Sequence, residues 1–192
     1  MLWADPPLEA PAAAEPEELT FPRFYAEHFE LVYRLLSRYG VRASELEDLA
    51  QRVFMVVLAR SAELAVLDQP DAWLRSIAVR VVRHYYRWQR VRRAHAWLVR
   101  HSWAGRGIDE RTPEHAALGD ESLERVRTVL RQMSPKLRDT LVLVELEELL
   151  PREAAEILGV PLNTVRSRRA LARAEFRRLW QEFDRQRTRD HG

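Results

Sequence analysis

From Phe21 to about Tyr39 the apolar residues recur at helical spacing: Phe21, Phe24, Tyr25, Phe29, Val32, Leu35, Leu36 and Tyr39. The spacing predicts an amphipathic helix that Gly40 stops. A second helix is predicted over about Glu45 to Arg60, burying Leu46, Leu49, Val53, Phe54 and Val57. Ser44 reads as its N-cap, and Glu47, three residues on, completes a capping box. A loop through Asp68, Pro70 and Asp71 follows. A third helix is predicted from near Ala72 to about Arg93. Its inward rows are Trp73, Ile77, Val81 and Tyr85, with Leu74, Ala78 and Val82 beside them.

Beyond that helix the period breaks. Residues 101–120 hold Gly105, Gly107, Pro113 and Gly119 among mixed charges and read as a linker, although Trp97 and Trp103 nearby are large enough to pack on something. Helical spacing resumes over about 121–132, 135–147, 151–158 and 162–183. Pro135 and Pro151 suit first-turn positions, where no backbone N–H is needed. Nowhere do apolar and polar residues alternate in twos, and no segment repeats. The expected fold class is all-α, with two small helical domains joined by a flexible linker, the C-terminal one a helix-turn-helix. The domains are expected at 20–100 and 121–184, with an acidic, disordered tail at 1–19 and an arginine-rich, frayed tail at 185–192.

Charge adds partners to this picture. The net charge is only +2. Yet residues 1–20 hold Asp5, Glu9, Glu15, Glu17 and Glu18 and no base, while residues 75–101 hold eight arginines and no acid. Lys136 is the only lysine. Arginine gives bidentate phosphate and guanine contacts that lysine does not. The absence of cysteine excludes disulfides and thiolate metal ligands and fits a reducing compartment. No apolar run approaches a membrane span, and no signal pattern opens the chain, so the cytoplasm is the expected location.

Three constellations carry candidate chemistry. In the first, Glu153–Leu158 forms a short helix ended by Gly159, Pro161 sits in the turn, and a second helix starts near Leu162. On that helix Val165, Ala172, Phe176, Leu179 and Phe183 form the inward stripe. Asn163, Arg166, Ser167, Ala170, Arg173, Ala174 and Arg177 form the outer face. Small and polar residues there allow close approach to a major groove, and Arg and Asn pair with base edges. An arginine-rich solvated helix is the bland alternative, but the Leu-Gly-Val-Pro turn favours DNA reading.

In the second, Arg80, Arg83, Arg87 and Arg90 make one basic stripe on the third helix, interleaved with Tyr85, Tyr86 and Trp88. Arginines that track phosphates, beside flat side chains that stack on unpaired bases, suit single-stranded nucleic acid. Trp73 and Tyr85 fall on the apolar rows and are expected in the core, whereas Tyr86 and Trp88 are the candidates for exposure. In the third, Asp48, Gln51 and Met55 share a face of the second helix away from its apolar rows, which alone would be an ordinary solvated face. A catalytic site is not expected. There is no glycine-rich phosphate loop and no paired-carboxylate pocket, and His28, His84, His95, His101, His115 and His191 show no metal-ligand spacing. No metal or cofactor is expected.

Taken in order, these segments resemble a bacterial RNA polymerase sigma factor of the small extracytoplasmic-function group, over about Phe21 to Phe183. Glu47-Asp48-Leu49-Ala50-Gln51-Arg52-Val53-Phe54 resembles the core-binding segment of region 2. Ala72-Trp73-Leu74-Arg75-Ser76-Ile77-Ala78 resembles the start of its promoter-melting helix. Met133 to Arg138 resembles the opening of region 4, and Leu158 to Arg168 its turn and recognition helix. The resemblance implies that Asp48, Gln51 and Met55 face core RNA polymerase. It implies that Arg80, Arg83, His84, Tyr86, Arg87, Trp88 and Arg90, with the Ser61–Asp71 loop, hold the non-template strand of the minus-ten element. It implies that Asn163, Thr164, Arg166, Ser167, Arg169, Ala170, Arg173 and Arg177 read the minus-thirty-five element as duplex. It further implies a linker threaded near the polymerase channel, and an anti-sigma factor as a possible partner. Arg80 and His84 depart from the family's usual Asn and Asp in the melting helix, and Leu149-Leu150-Pro151 departs at the start of the helix-turn-helix. Two other readings stay open at this point: a regulator that binds duplex DNA as a dimer, and a helical interaction protein without nucleic acid.

Overall fold

The computed structural model describes residues 20–102 and 121–190, with side chains to Arg92 in the third helix. The expected acidic tail and most of the expected linker, including Trp103, therefore lie outside the described residues, as does the side chain of Trp97.

Helix α1 (Phe21–Arg38) forms where the apolar spacing predicts it. Phe24, Val32, Leu35 and Leu36 are fully buried, each burial stabilising by about 1.5–3 kcal/mol. Gly40 ends the helix with φ +81°, a left-handed conformation that costs a side-chain-bearing residue energy. Helix α2 (Ala43–Ala59) starts earlier than expected. Arg42 occupies its N-cap and no side chain caps it, so the Ser44–Glu47 capping box does not form. A 3-10 turn (Ser61–Val66) occupies what reads as loop. Helix α3 (Pro70–Ser102) is longer than predicted at both ends. Helices α1, α2 and α3 pack on one another through Leu46, Leu49, Val53, Phe54, Leu74, Ile77, Ala78 and Val82.

The second module holds α4 (Glu121–Gln132), α5 (Pro135–Leu141), α6 (Pro151–Leu158) and α7 (Leu162–Asp190). The predicted single helix over 135–147 is broken: α5 passes into a π-helical turn at Val142–Leu146. Glu148 then takes φ 56°, the only non-glycine positive value among the described residues. That strained corner redirects the chain into α6. Arg185–Asp190 of the expected frayed tail instead continue α7. Trp180 and Phe183 receive the Arg125 guanidinium from α4 at 4.7 and 5.9 Å, and Asp184 pairs with the same arginine. Among the described residues there is no strand.

Helix α3 packs on α6, and the buried side chains of both modules form one continuous core. Gly40 lies at this junction. Its carbonyl accepts from Arg131 at 3.5 Å, and a Cβ built on it would stand 2.9 Å from the Arg127 carbonyl oxygen. Gly159 shares the left-handed backbone, with φ +64°, but a Cβ there meets nothing within 4 Å. Gly159→Ala is therefore expected to lower the unfolding free energy by about 1–2 kcal/mol, the cost of the left-handed backbone alone, and Gly40→Ala by clearly more, because the clash adds to it. Urea denaturation of the two variants checks the order; equal losses would mean the Arg127 contact is soft.

Candidate nucleic-acid interface

The helix-turn-helix is built as the sequence implies. Pro151 takes the first turn of α6, and Glu153 accepts the Leu150 N–H at 2.7 Å. The left-handed Gly159 closes the helix, its neighbour Val160 donating to the Ala155 carbonyl at 3.1 Å. Pro161 then starts α7, accepting from Thr164 at 2.9 Å. Val165, Ala172 and Leu179 are buried and Phe176 and Phe183 partly so, while Asn163, Arg166, Ser167, Ala170, Arg173 and Arg177 are exposed. The inward and outward faces thus fall where the wheel puts them.

The geometry sorts the arginines of α7 into two kinds. Arg166 projects from the first turns. Arg169 and Arg173 are held by Glu145 of the π-helical turn: Arg169 donates to it at 2.6 Å and Arg173 through two bonds at 2.9 and 2.7 Å. Those bonds, Arg173's first, hold the Glu145 carboxyl down at about 2. Thr164 is half-buried. Glu175, the lone acid of α7 up to Arg178, takes no part in the outer face: its carboxylate accepts from the Ser134 N–H and hydroxyl at 3.0–3.3 Å, tying α7 to the start of α5.

The basic helix departs further from expectation. Arg80, His84, Arg87, Trp88 and Arg90 are exposed on α3. Arg80 bonds back to Ser76, through its carbonyl at 3.1 Å and its hydroxyl at 2.9 Å. Trp88 is 53% exposed, with the Arg92 guanidinium 4.6 Å from its ring centroid. Tyr86, expected at the surface, is buried. Its hydroxyl donates to the Tyr39 carbonyl at 2.9 Å, and the guanidinium of Arg138 lies 3.7 Å from its ring centroid. A ring so enclosed is not available to stack on a base. The reason is tertiary: α5 covers this side of α3, which the periodicity of α3 alone does not show. Tyr85 is buried as expected and donates to Glu45, and burial together with that carboxylate pushes its phenol up. Arg83 is also engaged, donating to Asp139 of α5 at 2.6 Å.

Asp139, Glu145 and Glu147 fall in no motif, and Arg138 only closes the Met133–Arg138 segment, with no role assigned to it. The available signal was position: Arg138 and Asp139 stand in a stretch whose other members, Leu137, Leu141, Val142 and Leu143, pack inward. Arg83, Arg80, His84, Arg87, Arg90, Lys136 and Arg168 line one cleft of about 760 Å³ between α3 and the start of α7, with Asp139 the only acid among the described lining residues.

On α2, Asp48, Gln51 and Met55 are all exposed. Met55 is 66% and Leu58 47% exposed, which extends the face by one turn into an apolar stripe that the sequence reading missed. Uncovered apolar stripes with a polar rim mark partner surfaces.

Comparison with known proteins decides the family. Residues 24–92 match the model of sigma-70 region 2, and residues 123–176 match that of sigma-70 region 4. The chain belongs to the extracytoplasmic-function group of the sigma-70 family. It is 27% identical over 180 residues to RNA polymerase sigma factor CnrH of Cupriavidus metallidurans, covering 88% of this chain and 91% of that one. To the ferric citrate uptake sigma factor FecI of Escherichia coli it is 27% identical over 148 residues, 77% and 83% of the two chains. The structure of CnrH in complex with the cytosolic domain of CnrY shares the fold at a TM-score of 0.56, with 23% identity and 84% and 88% of the chains covered. The sigma factor RpoE of Bartonella quintana, in complex with the anti-sigma factor NepR, does so at 0.59, with 19% identity over 84% and 96%. Arg166 and the exposed face of α7 thus lie in the region 4 part of this sigma factor, and the arginine stripe and the Asp48 face in its region 2 part.

Neutralising Glu145 tests the division among the arginines. Glu145→Gln is expected to release Arg169 and Arg173, so that duplex binding strengthens and its logarithmic salt slope steepens by about 1–2, the share of one or two more phosphate contacts. An unchanged slope would mean that both arginines already reach DNA. The pH dependence has a definite sign. The Glu145 carboxyl is depressed in the folded chain, so its stabilising pairs are fully present above about 4.5 and lost as pH falls toward about 2. Over that window acid unfolding of the wild type is expected to be steeper than that of Glu145→Gln.

Proposed function

We propose that this chain, as a sigma factor, binds core RNA polymerase through α2, holds the opened minus-ten strand on α3, and reads the minus-thirty-five element as duplex with α7. The observation that carries this reading is the pair of surfaces on one chain. One is a helix-turn-helix with Arg166, Ser167 and Asn163 outward. The other is an arginine stripe with the half-exposed Trp88 beside it. A duplex-binding repressor has no use for the second surface. The chemistry of RNA synthesis belongs to the polymerase. Among the described residues no group of acids and histidines could hold a metal, and no helix is long and apolar enough to cross a membrane.

Roles follow residue by residue. Asp48 and Gln51 form the polar part, and Met55 with Leu58 the apolar part, of the polymerase-facing surface. Arg80, His84, Arg87 and Arg90 track the phosphates of the opened strand, and Trp88 stacks on a base, worth about 1–3 kcal/mol. Arg83 joins them once it leaves Asp139. Arg166 is the candidate for bidentate guanine recognition, with Asn163 and Ser167 beside it. Arg177 and the backbone of the first turn of α7 suit phosphate contacts. The solved complexes of CnrH with the CnrY cytosolic domain and of RpoE with NepR support an anti-sigma factor as a further partner.

Two substitutions test the reading. Asp48→Ala is expected to weaken capture of core polymerase in a pull-down while far-UV circular dichroism stays unchanged; full capture would remove α2 from the interface. Arg166→Ala is expected to cost about 1–3 kcal/mol at one promoter position and little elsewhere. A uniform loss on all sequences, measured by competition binding, would reassign Arg166 to a phosphate.

A further inference from the structure

The cleft beside α3 holds two cations to which promoter binding gives no role. Lys136 stands in the first turn of α5, and the half-buried Arg168 stands on α7. Both line the same space as the arginine stripe of α3. Among the described residues Arg87, Arg90, Lys136 and Arg168 take no ion pair. Asp139 offers them nothing, because it is bonded to Arg83 at 2.6 Å. Like charges gathered in a partly enclosed space repel one another, and a cleft lined by one sign focuses its field on an entering counter-ion. The excess is felt deeper in the fold, where burial first, and the charge of Arg90 after it, lower the Arg138 guanidinium.

The floor of the cleft is apolar. Leu158 is 8% and Val91 62% exposed, and Pro135 and Val160 are half-buried beside them. Cations above an aliphatic floor suit a ligand that is anionic at one end and carbon-rich at the other. The volume of about 760 Å³ is that of a small-molecule site, not of a groove for a strand. Arginine forks bind phosphate oxygens in pairs. A single phosphate leaves most of these cations unmatched, whereas a chain of phosphates reaches several. The described lining has no Asn or Gln to read a base edge, so one purine is held as well as another.

We propose that this cleft is a regulatory site for a nucleoside polyphosphate, with its phosphates on Arg87, Arg90, Lys136 and Arg168 and its nucleoside on Leu158, Val160 and Val91. Binding itself does not depend on the promoter reading; its consequence for DNA rests on the assignment of α3 to the opened strand. Arg87 and Arg90 cannot serve a bound phosphate chain and a DNA strand together. Ligand and single-stranded DNA therefore exclude each other, and the concentration of the nucleotide sets how much of the chain is free to take up a promoter.

Titration calorimetry on the full chain tests the site, with adenosine triphosphate, guanosine triphosphate and inorganic tripolyphosphate as probes. One saturable site is expected, with the two nucleotides equal within about three-fold and tripolyphosphate at least about ten-fold weaker, because it leaves the apolar floor uncovered. The double variant Lys136→Ala, Arg168→Ala is expected to bind either nucleotide at least about ten-fold more weakly, since two phosphate contacts are lost. Arg152→Ala with Arg178→Ala removes the same charge outside the cleft and is expected to change affinity less than about two-fold. If the first double variant loses helical content by circular dichroism, the exposed Lys136→Ala alone carries the comparison, with a loss of about three-fold or more. Absence of saturable binding, or equal losses in the two double variants, would overturn the site. Tripolyphosphate bound as tightly as the nucleotides would overturn the nucleoside assignment. Each nucleotide is further expected to displace a single-stranded minus-ten oligonucleotide. If it binds as stated and leaves the oligonucleotide in place, the site stands and the assignment of α3 to the opened strand fails. If no nucleotide binds while the reconstituted holoenzyme transcribes from its promoter, only the site fails.

Discussion

The carboxylate of Asp139 and the guanidinium of Arg138 sit adjacent in sequence and buried at the junction of two helical modules. Much of the arrangement depends on how those two charges are satisfied. Arg83 reaches across from α3 to pair with one, and Tyr86 on the same helix presents its ring to the other. Tyr86 in turn is fixed by the Tyr39 carbonyl at the end of α1, beside Gly40, where only a residue without a side chain fits against Arg127. Removing one partner of such a centre leaves a buried charge unpaired, typically a loss of about 3–5 kcal/mol. The centre thus couples the ends of α1 and α3 to α5 and, through the π-helical turn that follows, to the recognition helix.

That turn has its own function in the second module. A straight continuation of α5 would carry Glu145 along a different face. The π-helical turn and the strained Glu148 place the carboxylate where it holds Arg169 and Arg173. Arginines of one helix are thereby divided into those braced by protein and those, such as Arg166, left to meet DNA. Glu175 braces the same helix from the other side through Ser134. The recognition helix is presented as a rigid element, which favours precise base contacts over loose electrostatic capture.

Much of this was legible from residue order. The four apolar rows of α1 to α3, the Gly159 turn and both faces of α7 emerge from periodicity and glycine geometry, which are local properties. The Asp48–Gln51–Met55 face was legible in the same way, and its extension to Leu58 needed only one further turn of the helix. What failed had a common cause. Tyr86 reads as exposed because α3 alone does not reveal that α5 lies over it. Arg185–Asp190 reads as frayed because the anchors at Trp180, Phe183 and Asp184 are supplied by Arg125, 55 to 59 residues away. The helix predicted over 135–147 breaks because packing, not propensity, settles the π-helical turn.

The sequence by itself determined most of the helices, their inward stripes, the helix-turn-helix and the family. Each rests on spacing within a few turns, where side-chain direction follows from backbone geometry. Tertiary structure alone decided which arginines are available. Charge patterning marks Arg83, Arg169 and Arg173 as equivalent to Arg80, Arg166 and Arg177. Only the folded chain brings Asp139 and Glu145, 56, 24 and 28 residues distant, to within hydrogen-bond reach of the first three. An ion pair acts over a few ångströms in space and leaves no periodic mark in sequence. The assignment of a cation to protein or to DNA is therefore a property of the fold.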